Sequence, residues 1–196
     1  MTSQTIAKKL GLSEAKKWND FLCMTKPTIT LLVVITSFPS IILASGGFPD
    51  AFLLFATFLG TALVASSAAV FNQVFEEDID LNMVRTRTRS LPSGRLSSKE
   101  AFWFGQILGG MGLCILYFAT TPLAAGIALS GHLFYVFIYT LWLKRRTPQN
   151  IVIGGIAGAV GPLIGWAAPS GELAWPAWVL CVIITLWTPP HFWALA

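Results

Sequence analysis

Apolar residues along this 196-residue chain fall into six long runs, without the alternating or one-faced patterns of soluble strands and helices. Each run is about as long as an α-helix must be to cross a bilayer's hydrocarbon core. Together they predict spans at roughly 28 to 45, 51 to 75, 100 to 119, 122 to 143, 151 to 168 and 174 to 193. The turns Ser45-Gly-Gly-Phe-Pro-Asp50, Thr120-Thr-Pro122 and Pro169-Ser-Gly-Glu172 are rich in helix breakers. The pattern predicts an all-α fold, a polytopic transmembrane helix bundle. Residues 1–27 form a segment outside the membrane and residues 28–196 the embedded domain.

Charge gives the bundle an orientation. The 13 Lys and Arg residues lie in the N-terminal segment (Lys8, Lys9, Lys16, Lys17, Lys26), between spans two and three (Arg85, Arg87, Arg89, Arg95, Lys99) and between spans four and five (Lys144, Arg145, Arg146). The alternate connections carry none, so the positive-inside rule predicts a cytoplasmic N-terminus. The first 26 residues contain no Arg but do contain Glu14 and Asp20, unlike a mitochondrial transit peptide, and they lack the apolar core of a cleaved signal. A bacterial inner (plasma) membrane is expected, with the mitochondrial inner membrane as the alternative.

Composition narrows the function classes. Hydrophobic residues make up 55% and charged residues 11% of the chain, against about 25% charged in an average soluble domain. A disordered tail, a disulfide scaffold and a nucleic-acid-binding domain are excluded, leaving the lipid bilayer as the surrounding partner and no nucleic acid. Cys23, Cys114 and Cys181 have no paired spacing and read as packing residues. Small residues four apart, such as Gly161 and Gly165, predict close helix contacts.

Candidate chemistry begins where span two turns acidic without a helix breaker, through Asn72, Glu76, Glu77, Asp78 and Asp80. If the helix continues, Asn72, Glu76 and Asp80 share a stripe about 12 Å long, while Glu77 and Asp78 point elsewhere. Such a row of oxygens suits Mg²⁺, which is typically held by one or two carboxylates together with substrate phosphates. The arginines that follow, Arg85 and Arg89 among them, suit phosphate oxygens. Taken singly, the acids also describe a solvated helix end and the arginines a topology determinant. On one loop at one membrane face, they point to a site for a lipid diphosphate.

Asn72-x-x-x-Glu76-x-x-x-Asp80, Arg85-Thr86, Arg89 and Leu91-Pro-Ser-Gly94 resemble the first Asp-rich motif and following loop of the UbiA superfamily of intramembrane prenyltransferases. Lys26-Pro27, Arg146-Thr-Pro-Gln-Asn150, Gly161-Pro162-Leu-Ile-Gly165 and above all Trp187-Thr-Pro-Pro-His191-Phe-Trp193 are similar to its heme O synthase branch. Glu76 stands where many members carry Asp, and Thr88 and Ser90 replace the commoner Asn and Pro. The resemblance implies transfer of a farnesyl group from farnesyl diphosphate to a vinyl group of protoheme IX, giving heme O and diphosphate. It further implies Mg²⁺ on Asn72, Glu76 and Asp80, diphosphate on Arg85 and Arg89, and protoheme IX as acceptor substrate rather than redox cofactor. Hand-over of the product to heme A synthesis or terminal oxidase assembly would follow.

The family pattern has about nine helices and a second Asp-rich motif after span six, beyond Ala196. The expectation is therefore a C-terminally interrupted sequence that holds one Mg²⁺ weakly and does not complete the transfer alone.

The two histidines are candidates for the heme acceptor. His191 follows Pro189 and Pro190, whose missing donors predict an interrupted helix end on the same face as the acids. Its alternative is an interfacial residue in an aromatic belt with Trp187 and Trp193. His132, about ten residues into span four, is the secondary candidate, with a packing role as its alternative. Two other functions remain open at this level. A prenyltransferase acting on a quinone head group shares the acidic loop but leaves the Trp187–Trp193 motif unexplained. A cation-coupled transporter would hold its ion near the bilayer midplane, whereas these acids lie at a helix end.

Overall fold

The structure is a computed structural model that describes residues 12–147 and 149–194. Met1–Gly11, which include Lys8 and Lys9, lie outside the described residues, as do Pro148 and the last two residues. So do the side chains of residues 12–16, Ile151, Phe192 and Trp193.

In chain order the helices are α1 (Leu12–Met24), α2 (Pro27–Ser45), α3 (Ala51–Phe75), α4 (Glu77–Asn82), α5 (Ser98–Ala119), α6 (Pro122–Leu133), α7 (Asn150–Gly158), α8 (Gly161–Ser170) and α9 (Trp175–Ala194). Between α6 and α7, Phe134–Leu143 winds as a π-helix continuing α6. No strand occurs among the described residues. Five segments are long and apolar enough to cross a membrane: 27–45, 51–75, 98–119, 122–143 and 152–170. The sixth expected span forms the 20-residue α9.

Helix ends follow local chemistry. The Asp50 carboxylate accepts from the N–H groups of Phe52 and Leu53 at 2.9 and 3.2 Å, starting α3. Ser97 and Glu100 form a reciprocal capping box on α5. Thr121 caps α6 ahead of Pro122 and also donates to the Ala167 carbonyl at 2.8 Å, tying α6 to α8.

Helix α3 is the central helix. Ser66 through Gln73 are buried on every side, as expected of a helix enclosed by neighbours rather than by lipid. It packs along α5 through glycine contacts, and α2 packs along α8 in the same way. A core of Ile41, Val64, Leu116, Ala124, Ala128 and Ile164 joins α2, α3, α5, α6 and α8.

Four expectations about helix continuity are corrected. Span two does not run unbroken to Asp80: it breaks at Glu76 (φ −107°, ψ 7°), and the Arg145 guanidinium takes the freed Phe75 carbonyl at 2.8 Å. Span five is two helices, because Pro162 lacks the N–H that would bond the Gly158 carbonyl and its ring crowds that carbonyl. The second half of span four is π-helical, with Thr140 donating through its hydroxyl to the Tyr135 carbonyl at 2.9 Å. Helix α9, in contrast, continues through Pro189 and Pro190 without the expected interruption.

Candidate functional site

The site lies at the end of the bundle where α2, α3, α4 and the π-helix meet the loop 83–97. Asn72, Glu76 and Asp80 are all buried there, with 2%, 3% and 3% exposure, whereas the Asp78 side chain is 63% exposed. Backbone bonds from the N–H of Glu76 to the Asn72 carbonyl (3.1 Å) and from the N–H of Asp80 to the Glu76 carbonyl (2.8 Å) bridge the break. The three side chains consequently stay one turn apart on the interior side despite the interruption.

A basic group meets each of the three. Lys26 Nζ donates to Asn72 Oδ1 at 2.7 Å, and Asn72 in turn donates to Thr140 Oγ1 at 3.3 Å. Lys144 Nζ sits between the Glu76 oxygens, 2.6 Å from Oε1 and 2.7 Å from Oε2; only Oε2 is in hydrogen-bonding alignment, leaving Oε1 buried without a directed donor. Arg89 Nη1 donates to Asp80 Oδ2 at 2.6 Å. Asp78 and Glu77 face other partners, Arg145 and Ser98. The ion pair with Arg145 holds the exposed Asp78 carboxyl below its ordinary pKa.

Lys26 is placed by backbone geometry. Pro27 disfavours the right-handed helical region for the residue before it, and Lys26 adopts φ 47°, ψ 64°. Among the described residues it is the non-glycine residue with positive φ, a conformation that costs about 1–3 kcal/mol and gathers at functional sites. Burial pushes its ammonium down to about 8. Arg89 and Lys144 nearby add to the depression, and Glu76 and Asp80 oppose it.

The loop is held from behind. Asp20 on α1, itself buried, accepts from Ser90 Oγ at 2.7 Å and from Arg95 Nε at 3.0 and 3.1 Å. Gly94, at φ 71°, supplies the left-handed turn of Leu91-Pro-Ser-Gly94. Ser90, one of the departures from the family pattern, thus joins Arg95 in clamping the loop to α1. Arg85, expected beside Arg89, is exposed on the loop, and no hydrogen bond joins it to the acids among the described residues.

Below the polar cluster runs a cavity of about 120 Å³, with Lys26 and Tyr135 in its wall at the polar end and Thr61, Val64, Ala128 and Ile164 at the deep end. Its walls are mostly small apolar side chains. His132 lines it, with Nδ1 3.4 Å from the Val64 carbonyl and the ring edge-on to Phe71 at 5.8 Å. His191 is elsewhere, exposed on α9 with its ring 6.3 Å from Trp187. The two histidines are therefore not brought to one place.

Chemically, three cations facing two carboxylates and an amide suit an anion with several oxygens, and the adjoining cavity suits an apolar tail on that anion. No three His, Cys, Asp or Glu side chains form a metal cage among the described residues. The amide oxygen, the two carboxylates and the undirected Glu76 Oε1 nevertheless fit a hard cation that completes its shell with phosphate oxygens. Sequence reasoning gave Lys144 only a topological role, and it named Lys26 as a topology marker and in the Lys26-Pro27 motif without giving it a part in the site. The signal available was Lys26 before Pro27.

Residues 33–196 match the UbiA prenyltransferase family. The chain is 52% identical over 178 residues to a Gloeobacter violaceus protein named protoheme IX farnesyltransferase, covering 91% of this chain and 58% of the relative. It is similar to proteins of the same name from Synechococcus elongatus (53% over 173 residues; 88% of this chain, 54% of the relative) and Symbiobacterium thermophilum (48% over 177 residues; 90% and 59%). The chain thus spans little more than half the length of these relatives. Its fold is similar to a solved structure from a study of digeranylgeranylglyceryl phosphate synthase in membranes. There the TM-score is 0.76 at 24% identity, covering 87% of this chain and 59% of that one.

Proposed function

This chain belongs to the UbiA prenyltransferase family, and from that premise we propose that it serves the transfer of a farnesyl group from farnesyl diphosphate to a vinyl group of protoheme IX, yielding heme O and diphosphate. The observation that carries the donor half is the cluster of Lys26, Lys144 and Arg89 on buried Asn72, Glu76 and Asp80, set over an apolar cavity. The acceptor half rests on the shared name of relatives about half identical to this chain.

In this reading Lys26, Lys144 and Arg89 turn from their carboxylate and amide partners onto the diphosphate oxygens, with exposed Arg85 closing from the loop. Asn72, Glu76 and Asp80 would then hold Mg²⁺, which would supply positive charge for the departing diphosphate. Tyr135 and the alanine-lined wall limit water around the allylic carbon as diphosphate leaves; the vinyl carbon bonds to that carbon, and water adds to the resulting cation and loses a proton, giving the hydroxyethylfarnesyl product. His191 orients or ligates the protoheme acceptor, with His132 the secondary candidate. Hand-over to heme A synthesis or terminal oxidase assembly belongs to the same proposal.

The test joins residues 1–196 to the downstream part of the Gloeobacter violaceus relative and supplies farnesyl diphosphate, Mg²⁺ and either protoheme IX or an aromatic quinone precursor. Mass spectrometry should find the farnesyl mass on heme alone. Its presence on the quinone precursor instead would favour the other branch of the family.

We also assign the multi-pass chain to a bacterial plasma membrane with a cytoplasmic N-terminus, since all its basic residues lie on alternate connections. With Cys23, Cys114 and Cys181 replaced by serine, a membrane-impermeant thiol reagent applied outside intact cells should modify Ser170→Cys and spare Ser93→Cys. The reverse pattern would invert the topology.

A further inference from the structure

We propose that Thr140 is a positioning residue for the donor site: its hydroxyl holds the Asn72 side chain with the amide oxygen turned into the polar cluster, the orientation in which Asn72 can serve as a metal ligand. This rests on the metal-assisted donor reading above and adds to it the residue that decides which atom of Asn72 the metal meets.

The two ends of an asparagine amide are alike in shape and opposite in role. The oxygen accepts hydrogen bonds and can coordinate a cation, whereas the nitrogen carries two protons and only donates. Asn72 is 2% exposed, so its protein neighbours rather than bulk water choose the end that faces the site.

Thr140 makes that choice with a proton already committed elsewhere. It is fully buried in the π-helix packed against α3. Its hydroxyl donates at 2.9 Å to the Tyr135 carbonyl five residues back, the spacing of π-helical bonding. A hydroxyl has a single proton, so Thr140 offers Asn72 lone pairs alone. Those lone pairs meet Asn72 Nδ2 at 3.3 Å and would repel Oδ1. Oδ1 is thereby left at the other end of the amide, 2.7 Å from Lys26 Nζ.

Lys26, which only donates, enforces the same orientation while its ammonium stays on Oδ1. That support ends in the donor reading, where Lys26 turns onto the diphosphate. The bond to Thr140 then keeps the amide from turning over and setting its N–H protons against the cation. Glu76 and Asp80 need no such guide, because a carboxylate presents two like oxygens.

The measurement is equilibrium dialysis of Mn²⁺ and inorganic diphosphate against the full 196-residue chain in phosphatidylcholine nanodiscs, with empty nanodiscs as the blank. It reads retained metal and needs no turnover. Thr140→Val, which keeps the shape and loses the hydroxyl, should weaken retention about tenfold or more, and Thr140→Ser should stay within about threefold of the unaltered chain. Asn72→Asp should retain Mn²⁺ at least as well as the unaltered chain. Beside it, Thr140→Val should cost less than about threefold, since like oxygens have no orientation to lose. Retention unchanged by Thr140→Val, or lost equally in Thr140→Ser, would overturn the proposal. A tenfold loss that persists beside Asn72→Asp would overturn it too, because the hydroxyl would then act through packing of the π-helix. If Thr140→Val does not fold, Thr140→Cys, whose sulfur accepts only weakly, decides by the same comparisons. Failure of the unaltered chain or of Asn72→Asp to retain Mn²⁺ above the blank would overturn the metal reading itself, and the proposal with it.

Discussion

Glu76→Gln and Asp80→Asn are each expected to lower Mg²⁺-dependent prenyl transfer by about a hundredfold or more, and Asp78→Asn by less than about threefold. The substitutions remove one charge each and keep side-chain size, so they separate charge from packing. Glu76 and Asp80 are buried at the cavity mouth, where solvent screens little, whereas Asp78 is exposed and paired outward to Arg145. Their basic partners reach water: Lys144 and Arg89 are 38% and 31% exposed, so neither is stranded when its carboxylate is lost. The change should therefore fall on transfer more than on folding. The assay is initial rate against Mg²⁺ concentration in the chimera described above, with thermal unfolding as the control. Equal losses at all three positions would show that the acids act only through bulk negative charge.

Gly165→Val should largely prevent folding. Even a Cβ at Gly165 would sit 2.3 Å from the Ser37 carbonyl oxygen and 3.0 Å from its carbon. Those atoms are backbone on α2, so relief requires the two helices to part. Overpacking of this kind costs about 1–3 kcal/mol for ordinary cores and more where backbone blocks backbone. Gly126 makes the comparison, since nothing lies within 4 Å of a Cβ there. Gly126→Ala should be neutral or stabilising by up to about 1 kcal/mol from helix propensity. Thermal unfolding in detergent, read by circular dichroism, distinguishes the two. A Gly165→Val variant that melts with the unaltered chain would contradict the α2–α8 contact.

The bundle was legible because lipid imposes a length on each helix, and an apolar run of about 20 residues is visible without any tertiary information. The helical period also separates Asn72, Glu76 and Asp80 from Asp78, and burial follows that division. Other features depend on residues that meet only after folding. Lys26 and Asn72 are 46 positions apart, and Lys144 and Glu76 are 68 apart. In one dimension Lys144 looks only like a topology signal, and the Lys26-Pro27 pair does not say which side chain the lysine meets. The break at Glu76 is stabilised by Arg145 from another loop, and the π-helical turn that carries Tyr135 and Thr140 depends on bonding register, which no apolar period reveals. The prolines of α9 misled in the other direction: two missing donors suggested an interruption, yet the helix persists through both.

Photo-crosslinking of a farnesyl diphosphate analogue with a diazirine at the tail's far end, followed by peptide mapping, tests the assignment of the polar cluster and its cavity most directly. With Mg²⁺ present, adducts should fall at the deep end, on the peptides carrying Thr61 to Ala65, Ala128 and Ile164. They should be suppressed by excess inorganic diphosphate and by Asp80→Asn. Adducts on the exposed face of α9, around Val182, Ile183 and Leu186, or labelling indifferent to Mg²⁺ and diphosphate, would mean that the tail rests against the outside of the bundle and that the cluster of Lys26, Lys144 and Arg89 does not hold the donor.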